Sequence, residues 1–358
     1  MTTFFVMASC IQRAISKLVL RENLNDEIIN CLLGEIKDGK ATDAQIGGFL
    51  VALTSKGPTP DEIASIALTM RKLAIPVRPG QPKVIDTCGT GGGLHTYNVS
   101  TASSLLSSSV VPVCKHGSRS ISGKSGSADV QEALGINIHM TGRGVEEMIK
   151  RVNYGFMYAP YYHPIMGRVV KPEFELGIKT IFYTIIGPLI SPADIKRHLL
   201  GVFKKEYVQP VAEILAKIGY EHALVVHGLD GFDEISITGE TLVAEVVNGK
   251  VKDTYKITPS ELGLPTSPLD RIIENNPPDV NAQIIKRLFN GEEKGPRLDL
   301  LLANSAGHLY VGDVVRSLKD GVELAKQIIE EGKAREHLDE VVVSSEEIAA
   351  QYPVEQRL

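Results

Sequence analysis

A cluster of glycines in the first third of the chain is its most unusual chemical feature. Glycine fills four of the five positions from Gly89 to Gly93. Glycine permits sharp turns and lets several backbone N–H groups point at one anion. The helix predicted from Ser100 to Ser109 adds the positive end of its dipole, with Asn98 and Thr101 at its entrance. This segment therefore predicts a phosphate-binding loop, and the alternative is an ordinary tight turn.

Two common phosphate motifs do not fit these glycines. The dinucleotide fingerprint G-x-G-x-x-G, begun at Gly89, finds Leu94 at its last position. The nucleotide P-loop G-x-x-x-x-G-K-S, ended at Gly123-Lys124-Ser125, finds Ser118 where its first glycine is needed. The spacing therefore disfavours both a Rossmann dinucleotide site and a nucleoside-triphosphate hydrolase.

A second polar loop runs from Lys115 to Ser127, after the predicted strand Val110–Cys114. It combines serines and glycines with the cations Lys115, Arg119 and Lys124. Charged and neutral donors together suit phosphate oxygens. Two such loops after successive strands predict a ligand with more than one phosphate group. The alternative is a solvated loop whose serines cap backbone groups.

Two adjacent carboxylates, Asp233 and Glu234, follow a third predicted strand, Ala223–Val226. Mg²⁺ takes few protein carboxylates and shares its other positions among water and substrate phosphates. The pair therefore suits a magnesium–pyrophosphate complex. A solvated acidic turn is the alternative.

Helical patterns dominate the first part of the chain, from Asn23 to Ala74. Apolar residues recur at three- and four-residue spacing from Ile28 to Ile36, which predicts one buried helix face. Thr42 and Thr59 predict the N-caps of two further helices. A small helical N-terminal domain follows from these signals.

Strands and helices alternate after residue 80, which predicts parallel pairing and ligands at the carboxyl ends of the strands. The predicted strands are Val84–Ile85, Val110–Cys114, Gly155–Ala159, Thr180–Tyr183 and Ala223–Val226. The predicted helices are Ser100–Ser109, Ser127–Gly135, Val145–Val152, Val208–Ile218 and Leu318–Glu331, with Ser344 as a plausible later cap. We therefore expect a helical domain at 1–78 with a return segment near 165–195, and an α/β domain with a mostly parallel central sheet at 79–164 and 196–358.

Composition narrows the classes of partner and location. The 358 residues carry 38 Lys plus Arg against 43 Asp plus Glu, a net charge of −5, which gives no field for nucleic acid or anionic membranes. The four cysteines form no CxxC pair, so we expect reduced thiols and no zinc or disulfide framework. No stretch resembles a signal peptide or membrane span. These features predict a cytoplasmic protein.

Several motifs in register give the chain a family resemblance over residues 10–340. Besides the glycine loop they are Asn98-Val99-Ser100-Thr101, Lys115-His116-Gly117, Gly123-Lys124-Ser125-Gly126-Ser127-Ala128-Asp129-Val130, Tyr162-His163-Pro164, Leu176-Gly177-Ile178-Lys179-Thr180-Ile181-Phe182, Gly187-Pro188-Leu189 and Asp233-Glu234. Together they resemble the anthranilate phosphoribosyltransferase family. The resemblance implies a nucleoside-phosphorylase-like fold with a substrate cleft, a homodimer formed through the helical domain, phosphoribosyl pyrophosphate (PRPP) as donor, Mg²⁺, a small aromatic acceptor, and a place in tryptophan biosynthesis.

The same resemblance implies roles for individual residues. Lys115 and His116 are the candidate catalytic residues, while Ser100, Asp233 and Glu234 are the candidate magnesium ligands. The residues that resemble the PRPP site are Gly89, Thr90, Gly91, Gly92, Asn98, Val99, Ser100, Thr101, Lys115, Gly117, Arg119, Ser122, Gly123 and Ser127. Those that resemble the acceptor site are His116, Ser118, His163, Glu173, Tyr183 and Pro188.

Departures from the family pattern concentrate on the acceptor. Gly89–Thr96 is one residue shorter than the family loop and lacks its Asp, and Ser118 and Tyr183 each replace a usual Asn. Glu173 stands where the family has the Arg that meets the acceptor carboxylate. Two carboxylates about 4 Å apart repel by about 4 kcal/mol at an effective dielectric of ~20. That repulsion predicts rejection of anthranilate unless another cation replaces the Arg.

Three hypotheses follow from these departures. In the first, Lys171 or Arg168 supplies the missing cation and anthranilate is the acceptor. In the second, a PRPP-dependent transferase acts on a different aromatic amine or nitrogen heterocycle. In the third, the chain is a non-catalytic homologue that binds nucleic acid or a sugar phosphate, which the negative net charge and the intact Asp233-Glu234 pair disfavour.

Overall fold

A computed structural model describes residues 8–120 and 123–354. Its α-helices are α1 (Cys10–Val19), α2 (Asp26–Lys37), α3 (Asp43–Lys56), α4 (Pro60–Leu73), α5 (Val99–Ser107), α6 (Ser127–Leu134), α7 (Gly142–Val152), α8 (Ala159–Tyr162), α9 (Met166–Leu176), α10 (Gly187–Leu189), α11 (Val208–Lys217), α12 (Pro278–Phe289), α13 (Pro296–Val311), α14 (Leu318–Glu330) and α15 (Lys333–Gln351). Its strands are β1 (Ile85–Asp86), β2 (Val113–Gly117), β3 (Tyr154–Tyr158), β4 (Arg197–Gly201), β5 (His222–Gly228), β6 (Thr241–Val247) and β7 (Lys250–Ile257).

The chain divides into two compact units. A helical unit comprises Met1–Ile75 and Tyr162–Ile190, and an α/β unit comprises Pro76–Tyr161 and Ser191–Leu358. Within the described residues, no helix has the length and apolar character needed to cross a membrane.

Local capping chemistry explains where the helices of the helical unit begin. The Thr42 hydroxyl accepts from the Gln45 amide at 3.2 Å, and the Gln45 side chain accepts from the Thr42 amide at 3.0 Å. Thr59 and Glu62 make the same reciprocal pair at the start of α4. The apolar stripe of α2 is buried, as its spacing predicts. These three predicted helices are therefore confirmed, while α1 precedes the region where helices were expected.

The expectation that all four cysteines are reduced thiols is wrong for two of them. Cys10 on α1 and Cys31 on α2 form a disulfide across a Cα–Cα distance of 5.8 Å. The Glu35 carboxylate fixes the start of α1 by accepting from the Cys10 amide at 2.9 Å and the Ile11 amide at 3.0 Å. Cys88 and Cys114 are free. The spacing of cysteines in the sequence does not reveal that α1 and α2 pack side by side.

A seven-stranded sheet in the order β3-β2-β1-β4-β5-β6-β7 forms the centre of the α/β unit. The strands from β3 to β5 pair in parallel, and β6 and β7 add antiparallel pairs at one edge. The predicted mostly parallel sheet is confirmed. Because β1, β2 and β5 run in the same direction, the segments that follow them leave the sheet at the same edge.

Two local predictions are wrong. Residues Thr180–Tyr183 do not form a strand, because the chain enters a π-helix over Phe182–Ile186. A short apolar run fits a buried helix as well as a buried strand. Ser344 is not a cap, since α15 continues through it and buries its side chain.

Candidate active site

The entry to the glycine loop is fixed by buried charges on β1 and β2. Asp86 ends β1, and its carboxylate accepts from the Thr87 amide at 2.7 Å and from the His116 amide at 3.3 Å. The Lys115 ammonium donates to both the carbonyl and the hydroxyl of Thr87 at 3.1 Å. Burial lowers the pKa of Lys115, and the neighbouring thiol of Cys88 and carboxylate of Asp86 oppose that shift. These side chains therefore anchor the loop from beneath.

Close approach of backbone explains two of the loop glycines. A Cβ on Gly89 would lie 3.1 Å from the Gly201 carbonyl oxygen of β4, which also accepts from the Thr90 amide at 2.9 Å. A Cβ on Gly93 would lie 2.5 Å from the Asp233 carboxylate and 2.8 Å from the Asp233 amide nitrogen. The loop is therefore pressed against both β4 and the acidic turn; a Cβ would be tight at Gly89 and would overlap the acidic turn at Gly93.

The second predicted loop docks against the first. Asn98 adopts a left-handed conformation with φ 65° at the start of α5, and its side chain donates to the Ser125 carbonyl at 3.1 Å. The Asn281 side chain donates to the Asn98 side-chain oxygen at 2.7 Å and so orients that amide. A Cβ on Gly123 would lie 3.0 Å from the imidazole of His95. The structure thus brings the two candidate phosphate loops together.

The cations of the second loop are mostly engaged by protein groups. Arg119 donates to the Asp129 carboxylate at 2.9 Å and to both oxygens of Glu132, at 2.5 and 3.0 Å. Lys115 is buried beneath the glycine loop, while Lys124 is exposed. Sequence spacing could not show that the acids of α6 fold back onto Arg119.

Asp233 and Glu234 form the acidic turn after β5. Burial raises the pKa of Asp233, and backbone amides, including that of Gly91, partly offset the shift. Burial and the adjacent Asp233 raise the pKa of Glu234 well above its usual value, while Lys115 opposes the rise. Asp230 stabilises the turn by accepting from nearby hydroxyl groups. Two carboxylates held close together in partial burial fit a divalent cation, which would relieve their repulsion.

The other residues that resemble the PRPP site differ in how exposed they are to solvent. Ser100 and Thr90 are half-buried, whereas Val99 and Thr101 are buried. The Thr101 amide already donates to the Asn98 carbonyl at 2.9 Å. Gly91 and Gly92 take positive φ angles, and a Cβ on Gly117 would overlap the Ser127 hydroxyl. Ser122 lies outside the described residues.

Sequence reasoning missed several groups that shape this site. His95 and Asn281 contact the loops and belong to none of the motifs, whereas Asp129 lies in the Gly123–Val130 motif but no role was predicted for it. The Asp129 carboxylate accepts from the amides of Ser120 and Gly126 at 3.0 and 2.8 Å. Its position three residues after Gly126 is the capping-box spacing, and that spacing was the available signal.

The predicted acceptor residues lie in both units. His116 and Ser118 belong to the α/β unit, and His163, Glu173, Tyr183 and Pro188 belong to the helical unit. Burial lowers the pKa of His163 to about 4, partly offset by a hydrogen bond to the Ile190 backbone. His116, His163 and Pro188 are buried, and the backbone of Tyr183 lies in the π-helix.

Glu173 holds a local turn of the helical unit. Its side chain is 3% exposed, and one carboxylate oxygen accepts from the Thr180 amide at 2.5 Å. Lys171 pairs with Asp43, and the Arg168 guanidinium lies over Gly39, 3.0 Å from where a Cβ would stand. These two cations, which were candidates to replace the family Arg, are therefore placed against other groups.

A parallel sheet with paired glycine loops and an acidic turn at one edge, together with a separate helical unit, defines the class of protein. The family described as "Glycosyl transferase family, a/b domain" matches residues 81–335, and "Glycosyl transferase family, helical bundle domain" matches residues 12–74. The chain is thus a glycosyltransferase of two-unit architecture.

Individual relatives narrow this class. The chain is 47% identical over 334 residues to an anthranilate phosphoribosyltransferase of Acetivibrio thermocellus, covering 93% of this chain and 96% of the relative. The Thermus thermophilus enzyme of that name matches with a TM-score of 0.85 and 37% identity over 93% of this chain and 99% of that one. The Saccharomyces cerevisiae enzyme in complex with PRPP and Mg matches with a TM-score of 0.85 and 26% identity over 94% and 98%. The chain belongs to the anthranilate phosphoribosyltransferase family.

Proposed function

We propose that this chain transfers the 5-phosphoribosyl group of PRPP to the amine of anthranilate and releases pyrophosphate, a step of tryptophan biosynthesis. One observation carries the proposal: both glycine loops and the acidic turn meet at the carboxyl edge of the sheet. Gly93 lies against Asp233, and Gly123 lies against His95. This arrangement offers backbone donors and carboxylates to one phosphate-rich ligand.

The reaction breaks the bond between C1 of the ribose and the pyrophosphate oxygen, whose electron pair leaves with pyrophosphate. The amine nitrogen forms the new bond to C1 and then loses a proton to solvent. Because the sugar becomes oxocarbenium-like early, the main task is to stabilise charge on the leaving group. In this proposal that charge is stabilised by backbone N–H groups of the glycine loop, and the exposed Lys124 adds positive charge nearby in the sequence. The aromatic amine is nucleophilic at neutral pH, so positioning supplies much of the remaining effect.

A magnesium ion would be held by Asp233 and Glu234, and Ser100 at the start of α5 would be a ligand of a second magnesium ion. When bound, the ion supplies positive charge to the pyrophosphate oxygens. The raised pKa values of the two carboxylates support this assignment, since burial without a cation disfavours their charged forms.

The candidate catalytic residues act through position rather than through proton transfer in this proposal. Lys115 holds the Thr87 carbonyl beneath the loop, and the His116 amide donates to Asp86. The residues proposed to bind the acceptor, from the family resemblance, are His116, Ser118, His163, Glu173, Tyr183 and Pro188. One oxygen of the Glu173 carboxylate accepts from the Thr180 amide, which ties that side chain to its own turn of the helical unit.

Anthranilate fluorescence tests the proposal. We expect a PRPP- and Mg²⁺-dependent loss of fluorescence with wild-type protein and a loss of rate of at least tenfold in Asp233→Asn. Asp339→Asn, an exposed acid on α15, is the matched control and should keep the wild-type rate. Unchanged fluorescence at saturating PRPP, Mg²⁺ and anthranilate would reject the proposal.

We further propose a homodimer formed through the helical unit. Leu20 after α1 and Phe174 on α9 are exposed apolar side chains of this unit, which water disfavours. Sedimentation should give twice the chain mass of 38.9 kDa, and Leu20→Asp with Phe174→Asp should shift the protein toward monomer. A wild-type monomer at micromolar concentration would contradict this assembly.

A further inference from the structure

A histidine on β4 reaches the glycine loop from the core. His198 is buried, and its Nε2 lies 2.8 Å from the carbonyl oxygen of Cys88. A carbonyl oxygen only accepts hydrogen bonds, so the imidazole must carry its proton on Nε2 and donate. This bond joins the middle strand of the sheet to the residue directly before Gly89.

The planarity of the peptide lets the bond from His198 to the Cys88 carbonyl orient the N–H of Gly89. In a planar trans peptide the C=O of one residue and the N–H of the next point in opposite directions. Holding the Cys88 carbonyl toward His198 therefore turns the Gly89 N–H away from the core. Lys115 acts in the same way on the Thr87 carbonyl and so turns the Cys88 N–H outward.

The two amides that follow Gly89 in the loop donate to protein groups and are not turned outward. The Thr90 amide donates inward to the Gly201 carbonyl at 2.9 Å. The Gly91 amide is directed at the Asp233 carboxylate. Unlike these two amides, the Gly89 N–H is turned away from the core, and the bond from His198 to Cys88 sets its direction.

We propose that His198 is a positioning residue that aims the Gly89 N–H at a phosphate group of the donor. The inference rests on the proposed function, because it takes PRPP as the ligand. His198 does not touch the substrate in this account; it acts only through the peptide between Cys88 and Gly89. Tyr220 supports the imidazole, with ring centroids 5.9 Å apart.

Two substitutions separate this role from simple core packing. His198→Met replaces the imidazole with an apolar side chain of similar length and so removes the hydrogen-bond donor. His198→Gln removes the ring but keeps an amide N–H at about the reach of Nε2. If His198 only packs in the core, Met should replace it better than Gln. If His198 acts as a donor to Cys88, Gln should replace it better than Met.

His337→Met is the matched control for loss of a part-buried histidine hydrogen bond. His337 on α15 bonds the Ser108 hydroxyl at 2.7 Å, at the far end of α5 from the glycine loop. It therefore loses a similar interaction without affecting the peptide before Gly89. We expect its affinity for PRPP to match the wild type.

Calorimetric titration with PRPP and with inorganic pyrophosphate, each with Mg²⁺, gives the test. We expect His198→Met to weaken PRPP binding about tenfold, the usual worth of one well-aimed hydrogen bond, and His198→Gln to stay within about threefold of the wild type. KM for PRPP should rise with the dissociation constant, while KM for anthranilate stays unchanged. His198→Asn, whose amide is too short to reach the Cys88 carbonyl, gives a second variant without a donor to Cys88 should His198→Met fail to fold.

If the folded His198→Met and His198→Asn variants, which lack a donor to Cys88, bind PRPP as tightly as the wild type, the role of His198 is overturned. A His198→Gln variant that binds as weakly as His198→Met or His198→Asn would also overturn it. Both results leave the proposed function intact, because the wild type still binds PRPP. A wild type that binds no PRPP would instead refute the proposed function, and this role with it.

Discussion

Alanine at position 93 is expected to separate the glycine loop from the acidic turn. The added Cβ would lie 2.5 Å from the Asp233 carboxylate, 2.8 Å from the Asp233 amide nitrogen and 3.0 Å from the Gly231 carbonyl oxygen. Two of these three atoms are backbone, so a side-chain rotation cannot relieve the overlap. Gly93 does not have a positive φ, so alanine itself is unstrained there. The whole effect therefore comes from displacing the turn that carries Asp233 and Glu234.

The size of the effect follows from the cost of overpacking. An extra methyl group in a well-packed region costs about 1–3 kcal/mol. If relief of the clash moves the turn out of its binding position, PRPP affinity in Mg²⁺ falls about 5- to 150-fold. Isothermal titration calorimetry measures this loss directly, and urea unfolding measures any accompanying change in stability.

Gly34→Ala is the matched control for Gly93→Ala. A Cβ on Gly34 meets no atom within 4 Å, and the residue lies inside α2. Alanine there should raise stability by about 0.5–1 kcal/mol and leave PRPP affinity unchanged. A folded Gly93→Ala variant that binds PRPP as tightly as the wild type would refute the contact between loop and turn.

Three further predictions concern stability, each measured by urea unfolding. Cys31→Ser opens a disulfide that spans 21 positions and should lower the free energy of unfolding by about 3 kcal/mol. Dithiothreitol should lower the stability of the wild type by the same amount and leave the variant unchanged. Lys56→Met leaves the buried Glu62 carboxylate without the ammonium group 2.7 Å away and should cost about 3–5 kcal/mol, part of which Glu62→Gln recovers in the double variant. Burial lowers the pKa of His308 from 6.5 to about 3. Its contribution to the free energy of unfolding is therefore complete above pH 6.5. That contribution is lost as the pH falls toward 3, by up to about 1.4 kcal/mol per pH unit. His308→Gln should remove that slope, and an unchanged slope would contradict the assignment.

Local signals predicted the elements whose causes are local. Thr42 and Thr59 mark helix starts because their hydroxyls cap the next turn, and that chemistry needs no distant partner. The glycine loop was predictable because close backbone approach demands glycine. Thr180–Tyr183 was misread because four apolar or uncharged residues do not distinguish a strand from a helical turn.

The partners of individual charges could not be read from the sequence. Arg119 meets acids of α6, and the role of Lys115 depends on a carbonyl from the neighbouring strand. The Cys10–Cys31 bond likewise depends on how α1 packs on α2. Each of these contacts arises from tertiary packing, which motif spacing does not encode.

Titration of the wild-type chain with PRPP, with magnesium present and again with the metal chelated, tests the central claim most directly. We predict one binding site per chain in Mg²⁺ and an affinity at least tenfold weaker without the metal. Heat signals that stay flat in both titrations would contradict a donor site built from the two loops and the acidic turn.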